Sequence, residues 1–302
     1  MLLAVPNISE GRSEARIETI AGAFSGSGRA RLLDVHSDPD HHRSVYTLAG
    51  RPRMLAEALY DGAREAVAIV DVLADAGGPG RGQHPHVGAL DVAPIVYLGQ
   101  ADRGAAIAEA LVLADRVGEE LSIPVFLYGE LGGGRTRAQL RSGGLAGLAR
   151  RLASGELRPD FGPARLHPSA GATLVAAREP LVAFTLQLAP PATLADAKAI
   201  AALIREGGAE GLPGVRAIGV ELSASGGPPV AQVSTNVECP LELALAVVLG
   251  HVHAHLPVAS AELVGLAPAI ALEGFPPEVP LLGFDPERQL FERALGPPDN
   301  LS

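Results

Sequence analysis

The sequence predicts a mixed α/β chain, α+β in arrangement, made of two tandem units. Three observations predict it. Short apolar β-rich runs alternate with stretches of helical period, and the order β-α-β-β-α-β occurs twice. The 302 residues are 47% hydrophobic and 19% charged, enough for two cores of ordinary size. A Gly/Pro-rich stretch, Asp160 to Gly171, separates the two runs of elements and places the units at residues 1–179 and 180–302. The order is that of the split β-α-β, or ferredoxin-like, pattern. Two such units in tandem can turn their open sheet faces toward each other, leaving a ligand channel between the sheets.

The elements follow in order. Leu2 to Pro6 reads as a short buried strand, and Ser13 caps a helix from Glu14 to about Phe24. Arg31 to Val35 and Ser44 to Leu48 are strands, and Arg51 to Val72 is a long amphipathic helix with Leu55, Leu59, Ala63 and Ala66 on one face. Ala76 to Arg81 is loop. Val92 to Leu98 is a strand placed near a sheet edge, because Pro94 has no N–H to give a ladder. A helix from Ala105 to Leu121, a strand from Val125 to Tyr128, and a helical stretch from Arg135 to Ser154 broken at Gly143-Gly144 complete the first unit. The second unit reads as a strand from Leu181 to Leu188, a helix capped by Thr193 and running to Arg205, strands Val215 to Leu222 and Val230 to Val237 joined by the turn Ser223 to Pro229, a helix led by Pro240 and running to His255, and a strand from Val258 to Leu266.

Composition narrows function. Acids outnumber bases by 34 to 24, a formal charge of -10, which disfavours a general nucleic-acid binder. No apolar run reaches the ~18 residues of a membrane span. A single cysteine, Cys239, and no leader-like start point to an intracellular, cytoplasmic enzyme. Lys198 is the only lysine; the remaining bases are arginine, which suits bidentate capture of carboxylates, although a GC-rich genome gives the same bias.

Polar residues collect at strand ends. Pro6-Asn7-Ile8-Ser9-Glu10-Gly11-Arg12 is either an anion site at a helix start or a capping segment. Asp34 to Arg43 packs three His, three Asp and an Arg between two strands, yet lacks the spacing of a known zinc or calcium motif. It also reads as a solvated hairpin loop. Arg81 to Gly88 holds His84-Pro85-His86 in a restricted loop, where a histidine suits general-base work. The small residues of Asp160 to Thr173 would let backbone approach a flat ligand; the stretch is equally an interdomain linker. His251 and His255 would share a helix face as a metal pair, but have no third ligand. Neither a dinucleotide fingerprint nor a nucleotide P-loop is present.

These segments resemble the formiminotransferase family, the folate-dependent glutamate formimidoyltransferases. The likeness rests on Val5 to Gly11, Gly82-Gln83-His84-Pro85, Gly88 to Val92, Pro124 to Glu130, Pro159 to Pro163, Pro168 to Thr173, Ala231 to Asn236 and Leu263 to Leu266, in that order. The resemblance implies two α/β subdomains with folate in a channel between them, likened here to residues 1–179 and 180–302. It implies transfer of a formimino group from N-formimino-L-glutamate to tetrahydrofolate, which is a co-substrate, with no metal, in a cytoplasmic homodimer without nucleic-acid or membrane partners. The family's catalytic histidine falls on His84. Its folate-contacting stretch falls on Gly162, Pro163, Ala164, Arg165, Leu166, His167, Pro168, Ser169, Ala170 and Gly171. Donor contacts fall on Asn7, Glu10, His36, Asp40, His42, Arg43 and His86. The chain departs from the family pattern at His36, where an acid is common, at His42, where Asn is common, and at His86, where Arg is common. A formyl or other one-carbon donor, or a folate-binding module without turnover, are the alternatives.

Overall fold

The computed structural model describes residues 1–74, 85–222 and 229–296. The expected loop over Ala76 to Arg81, the segment Gly82 to His84 and most of the Ser223 to Pro229 turn lie outside them. The chain divides into two compact units, Met1–Arg178 and Glu179–Ser302.

In the first unit a broken strand, β1 (Leu2–Ala4) and β2 (Asn7–Ile8), leads to helix α1 (Glu14–Ser25), whose first turn is capped by the Ser13 side chain. The hairpin β3 (Ala30–Asp38) and β4 (Arg43–Gly50) precedes α2 (Leu55–Ile69), β5 (Leu90–Tyr97), α3 (Arg103–Glu120), β6 (Val125–Leu127), α4 (Arg137–Arg141), α5 (Gly144–Ala153) and β7 (Thr173–Arg178). The sheet runs β1-β4-β2-β5-β7-β6, with β3 on the far side of β4. Leu2, Ile8, Tyr46, Leu48, Ile95 and Leu174 of the strands share one core with Phe24, Leu59 and Leu113 of the helices.

The second unit contains β8 (Val182–Leu188), α6 (Leu194–Ile204), β9 (Val215–Leu222), β10 (Val230–Val237), α7 (Leu245–His253), β11 (Val258–Val264), β12 (Leu281–Leu282) and the short helices α8 (Pro286–Gln289) and α9 (Phe291–Ala294). Its sheet is ordered β12-β11-β8-β10-β9, and β11-β8-β10-β9 is antiparallel throughout. Phe184, Leu186 and Val233 form its core with Ile200 of α6 and Val248 of α7.

Three expectations fail. The strand with Pro94 is central: β5 pairs with β1 and β2 on one side and β7 on the other, and is buried along its length. The missing donor falls where β1 gives way to β2. There Val5 N–H still donates to the Pro94 carbonyl at 3.1 Å, and Asn7 Nδ2 donates to the Val5 carbonyl at 3.0 Å in place of the absent proline N–H. Strand β7 was not anticipated; it is short, half alanine and threonine, and follows directly on the Gly/Pro stretch, yet it fills the gap between β5 and β6. Pro240 does not start α7, since the chain turns through Glu242 and Leu243 onto the Cys239 carbonyl and the helix begins at Leu245.

Candidate functional site

Register decides which polar side chains meet. Tyr46 packs on Phe24 of α1 with ring centroids 5.1 Å apart, so the Tyr46 face of the hairpin is its helix side. Asn7 and His36 both stand opposite Val45, and Asp38 stands opposite Arg43. Side chains alternate along a strand, so Asn7, His36, Asp38 and Arg43 share the other face.

The β3–β4 turn is pulled inward rather than solvated. His41 and His42 are each 9% exposed. Asp38 accepts the amides of Asp40 and His41 and the ring Nδ1 of His41, each at 2.8 Å. Burial alone would raise the Asp38 carboxyl, but the His41 ring and these amides outweigh it and hold it at about 2. His42 sits at φ 49° and its Nδ1 accepts the Gly11 N–H at 3.1 Å, which puts the ring proton on Nε2. Asp40 and His36 are half-buried on the same hairpin.

Glu10 is buried and engaged. Its carboxylate takes the amides of Arg12 and Ser13 at 2.8 and 3.0 Å and Arg16 Nη1 at 3.2 Å, fixing the turn that leads into α1. Burial would raise this carboxyl; the two amides and Arg16 leave it below its ordinary value. The turn is tied to its neighbours by Ser44 Oγ donating to the Glu10 carbonyl at 2.6 Å and Ser9 Oγ donating to the Gly88 carbonyl at 2.7 Å.

Through Gly88 the segment after His84 meets the end of the Asp160–Gly171 stretch. Ala89 N–H donates to the Ala170 carbonyl, Ala172 N–H to Val87, and Val72 N–H to Ser169. His86 is buried at the start of this contact. His167 holds the turn: its Nδ1 accepts the Ala170 amide at 3.0 Å, and burial lowers its pKa, so the neutral ring serves as the acceptor. The sequence-predicted folate stretch is thus divided. Ser169 to Gly171 pack on Val87 to Ala89, whereas Gly162 lies against α3, where an added Cβ would stand 2.3 Å from the Ile123 carbonyl oxygen and 3.0 Å from Gly118 Cα, at φ +76°. Gly171, at φ +71°, would strike the Val87 carbonyl in the same way. The chain's own packing therefore accounts for these glycines. Ala164, Arg165 and Pro168 are exposed, and Pro163 and Leu166 half-buried.

A cation cluster adjoins. Arg141 of α4 pairs with the buried Asp91 of β5, which also accepts the Val87 amide at 2.8 Å. Arg43 feels both Arg141 and Asp91: burial first, then the Arg141 charge, push its pKa down to about 10.

A profile for the formiminotransferase domain, N-terminal subdomain, matches residues 1–178. The chain is 33% identical over 276 residues to the glutamate formimidoyltransferase of Streptococcus pyogenes serotype M1, with 89% of each chain covered.

The chain belongs to the formiminotransferase family.

It is also 33% identical over 276 residues to the Thermoplasma acidophilum glutamate formimidoyltransferase, covering 89% of this chain and 88% of that one. To the formimidoyltransferase-cyclodeaminase of Sus scrofa it is 36% identical over 281 residues, covering 89% of this chain and 50% of that protein. The chain therefore spans about half the length of the cyclodeaminase relatives it matches.

Within this family member, Asp91, Arg137 and Arg141 adjoin these segments and were not singled out from the sequence as candidate site residues. Asp91 carried a signal: a carboxylate inside the apolar run Ala89 to Ala93 of a buried strand requires a cation partner. The three histidines at the C-terminal end of α7 do not converge. His251 Nδ1 bonds its own Val247 carbonyl, His253 Nδ1 accepts from Val258 N–H, and His255 Nε2 meets Glu210 at 2.9 Å. Among the described residues no group of three or more His, Cys, Asp or Glu is placed to hold a metal, and no helix is long and apolar enough to cross a membrane.

Proposed function

We propose that this chain is a glutamate formimidoyltransferase, which moves the formimino group of N-formimino-L-glutamate to N5 of tetrahydrofolate and releases glutamate and 5-formiminotetrahydrofolate, a late step of histidine degradation. The observation that carries the reading is similarity along nearly the whole chain to two proteins of that name. The convergence of the Ser9–Gly11, Asp38–Ser44, His86–Ala89 and Ser169–Gly171 segments supports it.

In this mechanism N5 attacks the amidine carbon and gains positive charge as the new bond forms. His84 takes the N5 proton and returns one to the departing glutamate nitrogen as the old C–N bond breaks. The protonated amidine is cationic. Asp38, ionised down to about pH 2, supplies the carboxylate that steadies it from the face shared with Asn7 and His36. Asn7, Glu10, His36, Asp40, His42, Arg43 and His86 surround the donor. Glu10 and His42 act indirectly, by fixing Gly11 and the hairpin. Residues Gly162 to Gly171 contact folate through the Ser169–Gly171 end. The antiparallel order β11-β8-β10-β9 supports a ferredoxin-like second unit. The two subdomains are assigned as residues 1–179 and 180–302. The enzyme acts in the cytoplasm as a homodimer, without a metal and without nucleic-acid or membrane partners.

A second reading, transfer of a formyl group, draws on His36, where the family commonly has an acid. A neutral formamide needs no carboxylate beside it. Asp38, on the same strand face, makes good that lost charge, so formimino transfer stands first. The test is a donor panel with tetrahydrofolate, following glutamate release. Fastest release from N-formimino-L-glutamate supports the reading, and faster release from N-formyl-L-glutamate replaces it with the second.

A further inference from the structure

The two sheets end in β3, β6, β9 and β12, and only β9 is open to a further strand. β12 is two residues long. The outer side of the short β6 is taken: Val125 N–H donates to the Phe161 carbonyl at 2.9 Å, Asp160 N–H to the Val125 carbonyl at 2.8 Å and Leu127 N–H to Asp160 Oδ2 at 2.7 Å. β3 is bulged between Leu32 and Asp34 and carries Arg31, Asp34 and Asp38. Short strands, covering segments, bulges and charges are the usual guards of an edge. β9 is eight residues long, without proline, in unbroken register with β10.

The start of β9 shows which groups face outward. The Gly214 carbonyl accepts the Glu238 N–H beside β10, whereas Val215 donates to Leu212 and accepts from Glu206, away from β10. This direction alternates along a strand, so the N–H and C=O groups of Ala217, Gly219 and Glu221 also point away from β10. None of them has a hydrogen-bond partner among the described residues. Ala217 belongs to the core shared with the helices, so Ile218 lies on the opposite sheet face, where it is 46% exposed. Gly219 lies so close under α6 that an added Cβ would stand 2.3 Å from the Lys198 nitrogen, which brings Lys198 over the middle of the edge. Lys198 and Glu221 make no ion pair among the described residues.

We propose that two copies of this chain pair along β9, antiparallel, about a twofold axis at Gly219. With Gly219 opposite Gly219 of the second copy, Ala217 stands opposite Glu221, and every outward N–H meets an outward C=O. Ile218 stands opposite Val220, an apolar pair, and Arg216 opposite Leu222. Lys198 meets Glu221 of the second copy on the helix side. Centring on Glu221 would set two glutamates face to face, and centring on Ala217 would draw in Val215, whose carbonyl Glu206 already holds. Ala195, Ala199 and Ala202 on α6 are exposed and small, which leaves room for the same helix across the axis. The homodimer of the proposed function thus gains a surface, and the pairing holds whatever reaction the chain performs.

Sedimentation equilibrium tests this on the wild-type chain, on Ile218→Asp, on Glu221→Lys and on Lys198→Glu combined with Glu221→Lys, with circular dichroism confirming that each variant is folded. The wild-type chain is expected at twice the mass of one copy. Ile218→Asp and Glu221→Lys should each raise the dimer Kd by about ten- to hundredfold, since each change acts twice across the axis. The charge-swapped double variant should recover most of the loss. A dimer unmoved by both single variants, or a double variant as weak as Glu221→Lys, overturns the β9 pairing and leaves the homodimer standing. A wild-type chain that is monomeric at every concentration overturns both and leaves the formimino-transfer reading untouched.

Discussion

Replacing Asp38 with Asn removes one charge and little else, because the amide oxygen can still accept the Asp40 and His41 N–H groups that the carboxylate holds at 2.8 Å. What is lost is the bond to the His41 ring and the stability stored in the depressed carboxyl. The gap from 3.8 to about 2, at about 1.4 kcal/mol per pH unit, sets a ceiling of about 2.5 kcal/mol at neutral pH. The side chain is 28% exposed, so solvent screening brings the expected loss to about 1–2 kcal/mol. The sign follows from linkage. A carboxyl whose folded pKa is depressed gives stability that is fully present above its ordinary value and lost as pH falls through the folded value. Roughly half of the effect therefore remains at about pH 3. Urea denaturation of wild type and Asp38→Asn at pH 7 and pH 3 measures it. A difference that is the same at both pH values, or that is absent at pH 7, refutes the claim that this charge is held by the turn.

His84→Ala should lower kcat by about 10²- to 10⁴-fold while leaving folate affinity within a few-fold, and turnover near wild type would remove His84 from the mechanism. Gly162→Ala should lower the melting temperature, because its Cβ meets the Ile123 carbonyl; an unchanged melting temperature with weakened folate binding would return this glycine to the ligand. Glu109 of α3, buried, receives the Arg53 and Ala56 amides and caps α2 from outside, so Glu109→Gln should cost about 1–2 kcal/mol in denaturant titration. His42→Asn should keep or raise stability, since Asn tolerates the left-handed backbone at φ 49° and can accept the Gly11 N–H, and a marked fall in melting temperature would contradict that account.

Much of the fold was legible because it depends on local pattern. Ser13 and Thr193 cap their helices as their side chains require, and the apolar runs at Val182 to Leu188 and Val230 to Val237 form strands. The failures are tertiary. Pro94 reads as an edge residue until Asn7 is seen to supply the donor it lacks, an arrangement that depends on the break at Val5-Pro6. Strand β7 gains its strand character from the parallel neighbours on both sides rather than from Thr173 to Arg178 themselves. The site was legible as segments and not as a surface. Strand register, invisible in the sequence, puts Asn7, His36, Asp38 and Arg43 on one face, and it is α4 that brings Arg137 and Arg141 to Arg43. Gly162 and Gly171 each stand at a close approach, as their small size suggests, and the atoms that an added Cβ would meet there include backbone of the chain itself.

Group transfer is read most directly by following the carbon. N-formimino-L-glutamate labelled with ¹³C at the formimino carbon is incubated with the purified chain and tetrahydrofolate, and the products are read by NMR and mass spectrometry. In a formimino transfer the label reaches N5 of the folate in step with glutamate release, one for one. Label that appears as free formamide or formate, or glutamate that is released equally well without tetrahydrofolate, would contradict it.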